Sequence, residues 1–129
     1  MTQPVALIIE DDPKLCTIYE TVVTQAGYAV EVIRRGDEAL KRLSTVKPSL
    51  ILLDIHLPYV SGLELLKVIR ATEALTNLPV IVLTADLYMA ESAEGLADYV
   101  LIKSFGVSRL RELVNKLAST SEIGSAQAT

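Results

Sequence analysis

Leu50-Ile51-Leu52-Leu53-Asp54 is a run of four apolar residues closed by a carboxylate. A short continuous apolar run set off by turn chemistry, here Pro48-Ser49 before it and Pro58 after it, reads as a strand buried on both faces. A carboxylate at the finish of such a strand is costly unless a cation or a reaction compensates it. A second run, Val5 to Ile9, ends in the same way, in Glu10-Asp11-Asp12. Two buried strands that both finish in acid imply carboxylates meeting at one edge of a sheet, where together they can hold a divalent metal ion.

Working outward from that run, apolar segments alternate with segments of helical period five times, the pattern of repeated βα units around a parallel sheet covered on both faces. Strands are expected near 5–10, 28–33, 50–54, 79–84 and 98–102. The first helix opens with Asp12 as cap and Pro13 at its first position, buries Leu15, Tyr19, Val22, Val23 and Ala26, and stops at Gly27. A second is expected from about Asp37, its cap, to Ser44, and a third from about Gly62 to Leu75. The last runs from about Val107 to Ser119, with Leu110, Leu113, Val114 and Leu117 as one buried stripe. The length of 129 residues, half of them hydrophobic, suits one compact domain. The expectation is a single α/β domain over 1–119 and a flexible, small and polar tail over 120–129.

A net charge of −4 and the lack of a basic stripe argue against direct nucleic-acid binding by this chain. Cys16, the single cysteine, has no internal partner for a disulfide, and on the first helix it reads as core packing. No apolar run reaches the length of a membrane span. These features give the expectation of a soluble, cytoplasmic chain without membrane contact.

Open parallel sheets bind ligands beyond the carboxyl ends of their strands. Glu10, Asp11, Asp54, Thr84 and Lys103 all fall at such ends. Magnesium takes one or two protein carboxylates beside phosphate oxygens, which Asp11 and Asp54 can supply. Lys103 adds a positive charge and Thr84 a hydroxyl donor, so that together they neutralise an anion built on a carboxylate. That anion is an aspartyl phosphate. Asp12 reads as a cap only. His56 reads as a loop residue offering its backbone carbonyl to the metal rather than its ring, because a hard ion prefers oxygen. Leu87, Tyr88 and Met89 read equally as the buried start of a short helix or as an exposed contact patch.

The order and spacing of Ala6 to Pro13, Pro48 to Pro58 with Gly62, Pro79 to Ala85, and Asp98 to Phe105 resemble the receiver domains of two-component response regulators, over roughly residues 4–119. The resemblance implies a doubly wound, flavodoxin-like (βα)5 domain with strand order 2-1-3-4-5. It implies Asp54 as phosphoacceptor, Glu10 and Asp11 as the metal-binding acid pair, Thr84 as switch hydroxyl and Lys103 as the phosphate-contacting lysine, with magnesium as cofactor. It also implies a histidine kinase or phosphotransfer protein as phosphodonor, a downstream protein partner and compatibility with a homodimer. The chain would then be a signalling domain that catalyses its own phosphorylation and dephosphorylation, not a conventional enzyme.

Three features depart from the family pattern. Ser104 follows Lys103 where the family usually has proline, which removes the usual basis for a cis peptide. Val100 stands where the family usually has an inward-rotating aromatic, and Tyr99 beside it has the other strand parity. Thr84 and Lys103 are 19 positions apart, shorter than usual in the family by nearly one turn, so a short or irregular fourth helix is expected. Two rival readings follow: a degenerate receiver acting as a constitutive interaction module, and a metal-dependent phosphohydrolase. The second lacks both an acid-base aspartate beside Asp54 and a substrate cap. A stand-alone shuttle, an adaptor and a receiver cut from a longer regulator all remain open.

Overall fold

The computed structural model describes residues 3–103 and 106–128, with side chains up to residue 119. Five strands, β1 (Val5–Ile9), β2 (Ala29–Ile33), β3 (Leu50–Asp54), β4 (Val80–Thr84) and β5 (Tyr99–Ile102), form one parallel sheet in the order β2-β1-β3-β4-β5. Five helices connect and flank them: α1 (Pro13–Gln25), α2 (Gly36–Leu43), α3 (Gly62–Ala71), α4 (Leu87–Ala93) and α5 (Val107–Ala128). The order reverses between β1 and β3, so the acid-tipped strands are neighbours at the centre.

Every residue of β3 and of β4 is buried, which is why both strands read as unbroken apolar runs rather than alternating ones. Parity divides the core. Ala6, Ile8, Leu50, Leu52, Ile81 and Leu83 pack under α1 and α5, against Tyr19, Val22, Val23, Leu110, Leu113 and Val114. Leu7, Ile9, Ile51, Leu53, Val80 and Val82 face α2, α3 and α4, against Ala39, Leu43, Leu65, Leu66, Ile69 and Ala93. Each fully buried Leu or Ile contributes about 1.5–3 kcal/mol relative to exposure, so these two layers hold the central strand ends rigidly enough to present charged groups.

The helix boundaries differ from expectation in three places. Helix α2 begins at Gly36, with Arg35 at its cap position and Asp37 inside its first turn, because the chain at Gly36 is pressed against a neighbouring loop described below. Helix α3 stops at Ala71, where Thr72 turns extended (ψ 117°) before a 3-10 turn, Glu73–Leu75. Helix α5 continues past Ser119 to Ala128; its small polar residues contain no proline to break the backbone ladder. Among the residues whose side chains are described, the last packed on this core are Leu117 and Ala118. The expected short fourth helix is present, seven residues capped by Asp86, whose side chain accepts from the amides of Tyr88 and Met89. Gly27 ends the first βα unit with φ 101°, as a helix stop requires. Ser104, Phe105 and the peptide joining Lys103 to Ser104 lie outside the described residues.

Candidate functional site

The carboxyl edge of the sheet gathers the suspected residues. Asp54, at the end of β3, is 2% exposed, and Glu10, just past β1, is 1% exposed. Lys103, just past β5, reaches both, with Nζ 3.1 Å from Glu10 Oε1 and 3.2 Å from Asp54 Oδ1. Asp11 stands exposed beside them. One carboxylate oxygen each from Glu10, Asp11 and Asp54 fall within 4.8 Å of one another. Three acids therefore converge where one ammonium reaches two of them, an excess of negative charge that burial makes expensive.

The electrostatics follow from that count. Burial first, and then the charge of Asp54, push the Glu10 carboxyl up to about 7, against the amide of Asp12 at 3.2 Å and the charge of Lys103. For Lys103 burial works downward, but the charges of Asp54 and Glu10 outweigh it and raise its pKa, so the ammonium stays protonated. Burial also pushes up the thiol of Cys16, whose Sγ donates to the Glu10 carbonyl at 3.2 Å. That contact makes it a packed support beneath the acid edge.

The Asp54 carboxylate meets the His56 amide at 3.2 Å and Lys103 at 3.2 Å, each through Oδ1. Thr84, wholly buried at the end of β4, accepts from the amide of Asp86 through Oγ1 at 3.0 Å. The ring of His56 is exposed and lies 3.6 Å from Asp86 Oδ2, so the loops after β3 and β4 meet across the mouth of the site. Asp12 caps α1, accepting from the amides of Lys14 at 2.8 Å and Leu15 at 3.4 Å, the role read for it from sequence.

The donor set suits a hard divalent ion: three carboxylates converge, and the cluster contains no nitrogen or sulfur ligand. On the neighbouring strand Val100 packs toward α3 and α4 while Tyr99 packs toward α1 and α5. No ring stands at Val100. Leu87 and Tyr88 are exposed and Met89 is packed on the core, which divides the stretch that sequence left undecided. Sequence reasoning missed Arg35, Gly36 and Tyr59, which hold the loop after Asp54, and Arg70, which ties the opposite edge. Their partners lie on separate loops, and no local pattern announces them.

Comparison with known proteins identifies the family. Residues 6–115 match the family described as "Response regulator receiver domain". The chain is 36% identical over 118 residues to the phosphate regulon transcriptional regulatory protein PhoB of Rhizobium meliloti, covering 88% of this chain and 52% of that protein. It thus spans about half the length of this relative. A response regulator structure from Chloroflexus aurantiacus superposes with TM-score 0.82 at 27% identity, covering 92% of this chain and 99% of that one. The receiver domain of the sensor histidine kinase PA1611 of Pseudomonas aeruginosa, which has a magnesium ion coordinated in its active site cleft, superposes with TM-score 0.78 at 26% identity, covering 92% and 99%. No helix among the described residues is long and apolar enough to cross a membrane.

Proposed function

The chain belongs to the response regulator receiver family, and from that premise we propose that it is a phosphoacceptor switch in a two-component relay, with Asp54 as the residue modified. The observation that carries this reading is the buried Asp54 carboxylate, held through Oδ1 by Lys103 and the His56 amide and converging with Glu10 and Asp11. An oxygen of Asp54 attacks the phosphorus of a phosphohistidine. The P–O bond forms as the P–N bond breaks, and the electron pair leaves with the imidazole nitrogen of the partner kinase or phosphotransfer protein.

Asp11, Asp54 and Glu10, with the His56 carbonyl, are the residues that would hold magnesium. When bound, the ion supplies the positive charge that lets an anionic carboxylate approach an anionic phosphoryl group. Lys103, already protonated and shared between two carboxylates, offers its charge to a phosphoryl oxygen. The hydroxyl of Thr84 reorients from the Asp86 amide to donate to another, which moves the loop that starts α4 and biases the surface there toward a downstream partner. Tyr99 takes no part in that switch, since its ring packs on the other face of the sheet. We place the switching unit in residues 1–119 and treat 120–129 as a tail that takes no part in the switch. A cytoplasmic protein without direct nucleic-acid or membrane contact fits the charge and composition, and a homodimer is compatible with the unpartnered start of α4.

Neither rival reading gains support. A constitutive module has no use for the assembled acids, lysine and hydroxyl, and a phosphohydrolase would need an acid-base aspartate where His56 stands. Incubation with acetyl phosphate and magnesium, followed by intact mass, tests the proposal. The expected result is a gain of one phosphoryl group that depends on the divalent ion; no gain, or turnover of acetyl phosphate without a stable adduct, overturns it.

A further inference from the structure

The loop from Ile55 to Gly62 is pinned at both ends and once in the middle. Gly62 donates its amide to the Ile55 carbonyl at 2.8 Å and closes the loop. At the apex the Pro58 carbonyl accepts from Gly36 of the β2–α2 turn at 3.1 Å and from Val60 at 2.9 Å. The two loops touch closely enough that a Cβ on Gly36 would lie 1.9 Å from the Val60 carbonyl oxygen. Tyr59, next to the pinned carbonyl, has φ 73°, a left-handed conformation that bulky residues rarely adopt.

Core packing does not hold that conformation, for Tyr59 is 75% exposed; the Val60 to Pro58 bond closes a γ-turn about it, and Arg35 lies against its ring. Its Nε and Nη2 bind Asp37 in bidentate fashion at 3.0 and 2.8 Å, which fixes the guanidinium plane, and its carbon centre then lies 4.1 Å from the centroid of the Tyr59 ring. The edge of the fork is held by carboxylate while its carbon centre sits over the ring within cation–π range. We infer that Arg35, stacked on Tyr59, is a positioning residue that holds the β3–α3 loop in its left-handed form and so fixes where the His56 carbonyl stands beside Asp54. The metal side of this inference rests on the magnesium site proposed above; the latch itself does not.

A double-mutant cycle tests it. Wild type, Arg35→Ala, Tyr59→Gly and the double variant are compared by Mn2+ affinity, followed through water-proton relaxation, and by amide hydrogen exchange at Gly36 and Val60 without metal. Glycine takes positive φ without strain, so Tyr59→Gly makes the latch unnecessary. Arg35→Ala is expected to speed exchange at Gly36 and Val60 and to weaken Mn2+ binding, each by about threefold, the scale of one exposed cation–π contact. The same substitution in the Tyr59→Gly background is expected to change neither. Removing a positive charge by itself strengthens cation binding, so the expected loss has the sign opposite to plain electrostatics. Equal effects of Arg35→Ala in both backgrounds, or unchanged exchange in the wild-type background, overturn the latch. A wild-type chain that takes no Mn2+ overturns the metal reading instead, and the exchange comparison then decides the latch alone.

Discussion

The two edges of the sheet each place one cation against carboxylate, and they do so to opposite ends. At the carboxyl edge a single ammonium, Lys103, serves Glu10 and Asp54 while Asp11 stands by. At the amino edge the guanidinium of Arg70 binds Asp98 at 2.9 Å and donates to the carbonyls of Thr76, Leu78 and Leu96. Asp98 in turn accepts from the amide of Val80 at 2.8 Å. There one charge meets one charge, and the remaining donors are occupied by fixed backbone. The first arrangement has more carboxylates than cations; the second is saturated and joins α3, β4 and β5. An edge of the first kind is suited to receive a metal and a phosphoryl group, and one of the second kind to hold the fold still while that happens.

The sharpest way to break this comparison is Asp54→Asn, which is expected to abolish phosphoryl gain while leaving the unfolding midpoint nearly unchanged. Intact mass after acetyl phosphate and magnesium measures the first, and thermal unfolding the second. Labelling equal to wild type would move the acceptor elsewhere. Arg70→Ala should do the reverse, costing about 3 kcal/mol of stability by urea unfolding, since it leaves three carbonyls without this donor and Asp98 with the Val80 amide alone. Its folded fraction should still accept phosphate. A cost below about 0.5 kcal/mol would show that the amino edge is not a clamp.

Glu10 gives an effect of intermediate size, and its sign is fixed by linkage. Its carboxyl is raised from its ordinary 4.5 to about 7 in the fold, so between those values the native state holds a proton that the unfolded chain has released. The stability it contributes is complete below about 4.5 and is lost as pH rises through about 7, on the order of 2 kcal/mol in the metal-free protein. Urea unfolding from pH 4.5 to 8 should show that decline, and Glu10→Gln should flatten it. An unchanged slope in the variant would assign the decline to another group. Smallest is Asp11→Asn: about a tenfold loss of Mg2+ affinity by calorimetry, ~1.4 kcal/mol, with stability equal or slightly higher because like-charge repulsion is relieved. Destabilisation at unchanged affinity would make Asp11 a structural residue.

Much of this molecule is legible along the chain because the signals are local. Five apolar runs, Pro13 after Asp12, Gly27 at a positive φ and the acids closing β1 and β3 each follow from a few neighbouring residues, and burial on both faces leaves little choice for a run such as Leu50 to Leu53. The parity that turns Tyr99 away from Val100 is equally local. That α5 runs on as far as Ala128 was not legible, since composition records polarity and not how far a backbone ladder extends. What only the tertiary structure decided are the meetings between loops: Lys103 between Glu10 and Asp54, Arg35 on Tyr59, Gly36 against Val60, and Arg70 across to Asp98. Each joins residues whose own neighbourhoods are unremarkable. Their contact exists because a parallel sheet brings the ends of separate βα units to a common edge, where the balance of charge is set by the whole fold and by no segment of it.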